Sequence, residues 1–149
     1  MNTTTLLALQ NSFVVTIAGC IAWRQWLLAK DKFKLDLFEK RYKVFEATRK
    51  FLSTIVSNAT FENTDLYEFY AGTSDSTFLF SSEIEEYLSS IAKHALTMRK
   101  MSHQQANLAV GDELTRLVTK ENEELTWLSD QMRVLKDKFY QYLGFSHIK

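Results

Sequence analysis

The sequence predicts an all-α fold in which one N-terminal transmembrane helix continues into an antiparallel helical bundle of about three long helices and one short helix. Three observations carry this. The 149 residues contain no Pro and four Gly, at Gly19, Gly72, Gly111 and Gly144, so little interrupts helix propagation. Apolar residues recur at spacings near 3.5 over three long stretches. From Leu6 to Trp23 (LLALQNSFVVTIAGCIAW) the chain carries no formal charge. With 46% hydrophobic and 24% charged residues, it suits one globular domain plus an appendage. The expected division is an anchor over 1–29 and a cytoplasmic helical domain over 30–149.

The anchor comes first. Eighteen helical residues rise about 27 Å, just short of a hydrocarbon core of about 30 Å. Trp23 and Trp26 flank Arg24 with the amphipathic rings favoured at headgroup level, and Arg24 has the reach to snorkel. No base precedes the segment in MNTTT, whereas Arg24, Lys30, Lys32 and Lys34 follow it. The positive-inside rule then places the C-terminal domain in the cytoplasm and the span in the inner (cytoplasmic) membrane. Gln10, Asn11 and Ser12 fall toward the outer end, where polar groups cost less than at the bilayer centre. Small residues at Ser12, Thr16, Ala18, Gly19, Cys20 and Ala22 would let a second helix approach closely.

Two other readings compete for this segment. Ile17-Ala18-Gly19-Cys20 has the form of a lipobox, which would make the chain a lipoprotein lipidated at Cys20. The positively charged n-region of a signal peptide is missing, however, and the residues after Cys20 read as unbroken helix rather than a flexible tether. A buried helix in a soluble domain is the second, because a short apolar run does not distinguish core from membrane.

Beyond the interface, Leu28, Leu35, Phe38, Tyr42, Phe45, Leu52 and Val56, widened by Phe33, Leu37, Val44, Phe51 and Ile55, predict one helix running on to about Ser57. Asn58 is its expected end. Asp65–Ala71 reads as a short helix capped by Asn63 or Thr64 and terminated by Gly72. After a Ser/Thr-rich turn, Ser82 and Glu85 have capping-box spacing, with Phe80 or Ser81 at the entry, so a helix starts at Ser82. Ile84, Tyr87, Leu88, Ile91, Ala95, Met98 and Met101 trace its face to about Ala109. Gly111-Asp112 supplies a stop and a new cap. The last helix carries Leu114, Leu117, Leu125, Leu128, Met132, Leu135, Phe139 and Tyr142 in a 4,3 rhythm broken at Glu121. Part of these stripes could face a second copy rather than a core.

Charge divides the chain although its formal sum is zero. Residues 1–57 hold nine Lys/Arg against four acids, and residues 58–149 hold nine against fourteen. A basic stem of net +5 near anionic lipid and an acidic body of net −5 facing water follow from this placement. Cys20 has no partner for an intrachain disulfide.

The residues that chemistry would need are sparse. His94, His103 and His147 show no ligand spacing for a metal. No glycine-rich loop cradles phosphate, and no Ser/His/Asp ordering marks a nucleophile. Glu121, Glu123 and Glu124 read as a solvated face. Lys40, Arg41, Lys43, Arg49 and Lys50 interleave with Phe38, Tyr42, Phe45 and Phe51, but these aromatics fall on the expected core stripe and would not be free to stack on bases. Asn2-Thr3-Thr4 and Asn58-Ala59-Thr60 match glycosylation sequons, a frequent chance pattern. The expectation is no catalytic, cofactor-binding or metal residue, no cofactor, no nucleic acid and no small-molecule substrate.

The run Lys32-Phe33-Lys34-Leu35-Asp36-Leu37-Phe38-Glu39-Lys40-Arg41-Tyr42-Lys43-Val44-Phe45-Glu46-Ala47, followed by Phe78-Leu79-Phe80, Glu83-Ile84 and Tyr87-Leu88, resembles a group of small, uncharacterised bacterial proteins with one N-terminal span. The resemblance implies a bacterial origin and the anchored layout, and supplies no catalytic residue. The expected role is a membrane-anchored helical interaction or scaffold module whose partners are the lipid bilayer and either a protein or further copies of itself. An oligomeric membrane-active effector or pore subunit, associating through Ser12, Thr16, Gly19 and Cys20, is the alternative.

Overall fold

A computed structural model describes residues 3–106 and 108–144, with side chains from Ile17 onward. Every regular element among them is helical: α1 Thr3–Asn58, α2 Asn63–Thr73, α3 Ser76–Leu79, α4 Ser82–Gln105 and α5 Asp112–Leu143. The chain divides into two units, Met1–Leu37 and Phe38–Lys149.

Unit one is helical from Thr3, and its large apolar side chains are exposed, among them Ile17, Ile21, Leu28, Phe33 and Leu35. Leu28, Phe33 and Leu35 were expected on a core stripe and are not on one. Among the described side chains of α1, those that are buried start at Val44 and continue through Thr48, Phe51, Leu52 and Ile55. Periodicity reports that a face is apolar; whether another element covers it depends on where later helices pack. Among the described residues, no helix is long and apolar enough to cross a membrane. Much of the expected span, residues 6–16, has its side chains outside the description.

Unit two is a helical bundle whose core joins Val44, Phe51, Leu52 and Ile55 to Phe61, Phe69, Ile84, Leu88, Ile91, Met98, Leu128, Leu135 and Phe139. Full burial of each large side chain stabilises by about 1.5–3 kcal/mol. At one end Phe51 stacks on Phe69 at 4.7 Å and meets Phe61 edge-on at 5.2 Å. At the other, Phe139 takes Phe45 and Phe80 edge-on at 5.6 and 5.3 Å. Arg99 lies over Phe61 and hydrogen-bonds Asn63, so α4 ends near the end of α1. Arg41 reaches Leu79 just before α4 begins. α4 therefore runs in the same direction as residues 38–58 of α1, because α2 and α3 provide the return. A strictly alternating antiparallel order, as expected from the long helices alone, is corrected by that return.

The element boundaries follow local chemistry. α1 ends at Asn58 through Ala59, whose φ of 53° is left-handed and whose N–H still donates to Ile55 O at 2.8 Å. α2 is capped by Glu62, whose backbone N–H donates to Asp65 Oδ2 at 2.8 Å, rather than by Asn63 or Thr64. Gly72 does not terminate α2 but lies within it. A Cβ there would stand 2.5 Å from Ala47 Cβ, so glycine lets α2 cross close to α1. The Ser/Thr-rich turn contains the one-turn helix α3. α4 starts at Ser82 with Ser81 as its cap, and Ser81 Oγ is hydrogen-bonded to Tyr142 Oη. It stops at Gln105, short of Ala109, and Gly111 caps α5.

Candidate functional site

The stem residues singled out from the sequence all lie on α1 within unit one. Trp23, Arg24, Trp26, Lys30 and Lys32 are exposed, and Lys34 is half-buried. Trp23 and Trp26 expose 68% and 61% of their surface. The structure brings Lys30 and Trp26 together: Lys30 Nζ stands 5.5 Å from the centre of the Trp26 ring, a cation–π contact one turn apart. Gly19 has open space where a Cβ would be, and Cys20 is exposed. Ser12 and Thr16, the other expected packing positions, lie outside the described side chains.

Several polar arrangements in unit two join separate elements, among them Lys138 with Glu83 at 2.9 Å, and three more are built around Arg41, His94 and Lys50. Arg41 is the first. Its Nε donates to Leu79 O at 3.0 Å and a terminal nitrogen donates to Tyr142 O at 3.2 Å, while the guanidinium lies over the rings of Phe80 and Tyr142. A cation thus satisfies carbonyls at the ends of α3 and α5, where helix dipoles present partial negative charge. The second joins α4 to α5. His94 Nδ1 hydrogen-bonds the Glu124 carboxylate, and the imidazole stacks on Trp127 with centroids 3.7 Å apart. Gln105 donates to Glu121 in the same seam at 2.5 Å. The third is Lys50 with Glu68 at 2.5 Å, beside a cavity of about 130 Å³ lined by Ala47, Phe51, Thr54, Asp65 and Phe69.

Among the described residues, two titrations are displaced. The hydrogen bond from Lys50 to Glu68, with the attraction between their charges, holds the ammonium above its usual range. Burial pushes the Tyr87 phenol up to about 12, and its hydroxyl donates to Gln131 O at 3.2 Å. Among the described residues, no group of three His, Cys, Asp or Glu is placed to hold a metal ion.

The reading of Glu121, Glu123 and Glu124 as one solvated face needs correction. Glu123 is exposed, but Glu121 and Glu124 are half-buried against α4. His94 is half-buried, whereas His103 is exposed. The i to i+3 spacing of Glu124 and Trp127 puts both on one face of α5, which was visible in the sequence. Their meeting with His94 depends on the register between α4 and α5, which was not.

Comparison with family models, curated proteins and solved structures finds no match.

Proposed function

We propose that this chain is a membrane-anchored helical interaction module: an N-terminal helix holds it in the inner membrane, and the bundle on the cytoplasmic side binds a protein partner or another copy. The observation that carries this is the exposed apolar surface of α1. Ile17, Ile21, Trp23, Trp26, Leu27 and Leu28 are all more than two-fifths exposed and spread around most of the helix. In water such a surface would be costly, and a helix that is apolar all round belongs in a core or a bilayer. The proposed span takes in residues 6–16 as well, and Trp23, Arg24 and Trp26 would mark its inner boundary. Among the described residues, the polar contacts of the bundle fix helix to helix.

A reporter fused after Lys149 tests the orientation in intact cells. It should be protected from reagents that do not cross the inner membrane; labelling from outside would reverse the topology and favour lipidation at Cys20. Copies associating through the open face at Gly19 should cross-link through Cys20 on mild oxidation, and absence of that dimer would leave the bundle as the interaction surface.

A further inference from the structure

The anchored reading leaves open what α1 meets at the membrane surface, and the geometry of Lys30 points to an answer. Trp23, Trp26, Lys30, Phe33 and Lys34 fall within roughly 100° of the helix circumference. The stem acids Asp31 and Asp36 lie outside that arc, as do Arg24 and Lys32. One face thus combines aromatic rings with positive charge and carries no carboxylate.

Depth decides which of these groups reaches the lipid. Side chains on a helix lean toward its N-terminus, which in the proposed orientation is toward the bilayer. Lys30 shows this lean directly, since its ammonium stands 5.5 Å from the Trp26 ring one turn earlier. If Trp23 sits at the hydrocarbon boundary, Trp26 and the Lys30 ammonium lie about 4.5 Å farther out. The headgroup layer is about 5–7 Å thick on each side, so both fall inside it. Lys34, a turn beyond, stands about 10 Å out, past that layer.

We propose that Trp23, Trp26 and Lys30 form a headgroup site for anionic phospholipid on the cytoplasmic leaflet, an inference that rests on the anchored reading. The two indoles wedge at the headgroup level, and the ammonium, steadied on the Trp26 face, has N–H donors left for a phosphate oxygen. Net charge selects the lipid. A zwitterionic headgroup brings its own cation against Lys30, whereas an anionic one does not. An acidic protein occupying this face would require the indoles to leave the interface.

The test reconstitutes the full chain into phosphatidylcholine vesicles containing a minor fraction of brominated lipid, either phosphatidylglycerol or phosphatidylcholine, and measures tryptophan quenching. Trp127 adds the same background to both arms. Brominated phosphatidylglycerol should quench as though enriched about fivefold beside the indoles, the weight of one cation at an anionic surface. Lys30→Gln, at an exposed position, should keep the helical spectrum and bring the two lipids to parity. Equal quenching by both lipids in the parent chain, or a preference that survives Lys30→Gln, overturns the headgroup site while leaving the anchor intact. No quenching by either lipid overturns the anchored reading, and the site with it.

Discussion

At Gly72 the hydrogen in place of a methyl group sets how closely α2 approaches α1. A Cβ at 72 would meet Ala47 Cβ at 2.5 Å, and both atoms are fixed to helical backbone, so neither can swing aside. Gly72→Ala should destabilise unit two by about 1–3 kcal/mol, as overpacking does, and pairing it with Ala47→Gly should recover part of the loss in denaturant titrations. Ala59 is the converse case. It holds a left-handed φ of 53° that a Cβ disfavours, so Ala59→Gly should raise stability by about 0.5–1 kcal/mol in the same assay. Neither effect is visible in the sequence. Gly72 followed an apolar stretch and read as a terminator, because a glycine demanded by a helix crossing has the same local signature as one demanded by a cap.

Between elements, Arg41 links the ends of α3 and α5. Arg41→Ala would leave Leu79 O and Tyr142 O without their guanidinium donor, so backbone amides at Tyr140–Leu143 should exchange faster by about tenfold, and Lys at 41 should restore little because one ammonium cannot match the planar fork. The α4–α5 seam makes a separate prediction. A double-mutant cycle on His94 and Glu124 should return a coupling of about 0.5–1.5 kcal/mol, the range for an ordinary intramolecular hydrogen bond. At this scale the sequence was informative where a local signal marked an end. The starts of α4 at Ser82 and of α5 at Asp112 stand where they were expected, although Ser81 rather than Ser82 caps α4 and Gly111 caps α5. It was silent on α3, a single turn without periodicity of its own, and on His94, whose partners lie some thirty residues away along the chain.

For the whole molecule, two displaced titrations give alkaline pH a defined effect. Tyr87 keeps its proton in the folded state up to about pH 12, whereas an unfolded tyrosine releases it near pH 10. The unfolded state therefore loses protons first as pH rises, and stability falls between about pH 10 and 12, by up to about 3 kcal/mol from this group. Lys50 acts in the same direction: its raised pKa gives stability that is full below about 10.5 and is lost as pH climbs through the folded value. Denaturant midpoints should be flat from pH 7 to 9 and decline above 10, with the decline shallower in Tyr87→Phe.

The division of labour along α1 belongs to this scale as well. The apolar rhythm from Leu28 to Val56 predicted one buried stripe, but among the described side chains full burial starts at Val44, while Ile17, Ile21, Leu28, Phe33 and Leu35 stay exposed. The proposal that lipid covers the earlier part is tested most directly by extracting membranes of cells that express the full chain with alkaline carbonate. The chain should remain in the pellet, and replacing Ile17 and Ile21 together with Lys should release it to the supernatant with its helical content retained. Release of the unaltered chain by carbonate would contradict the anchor.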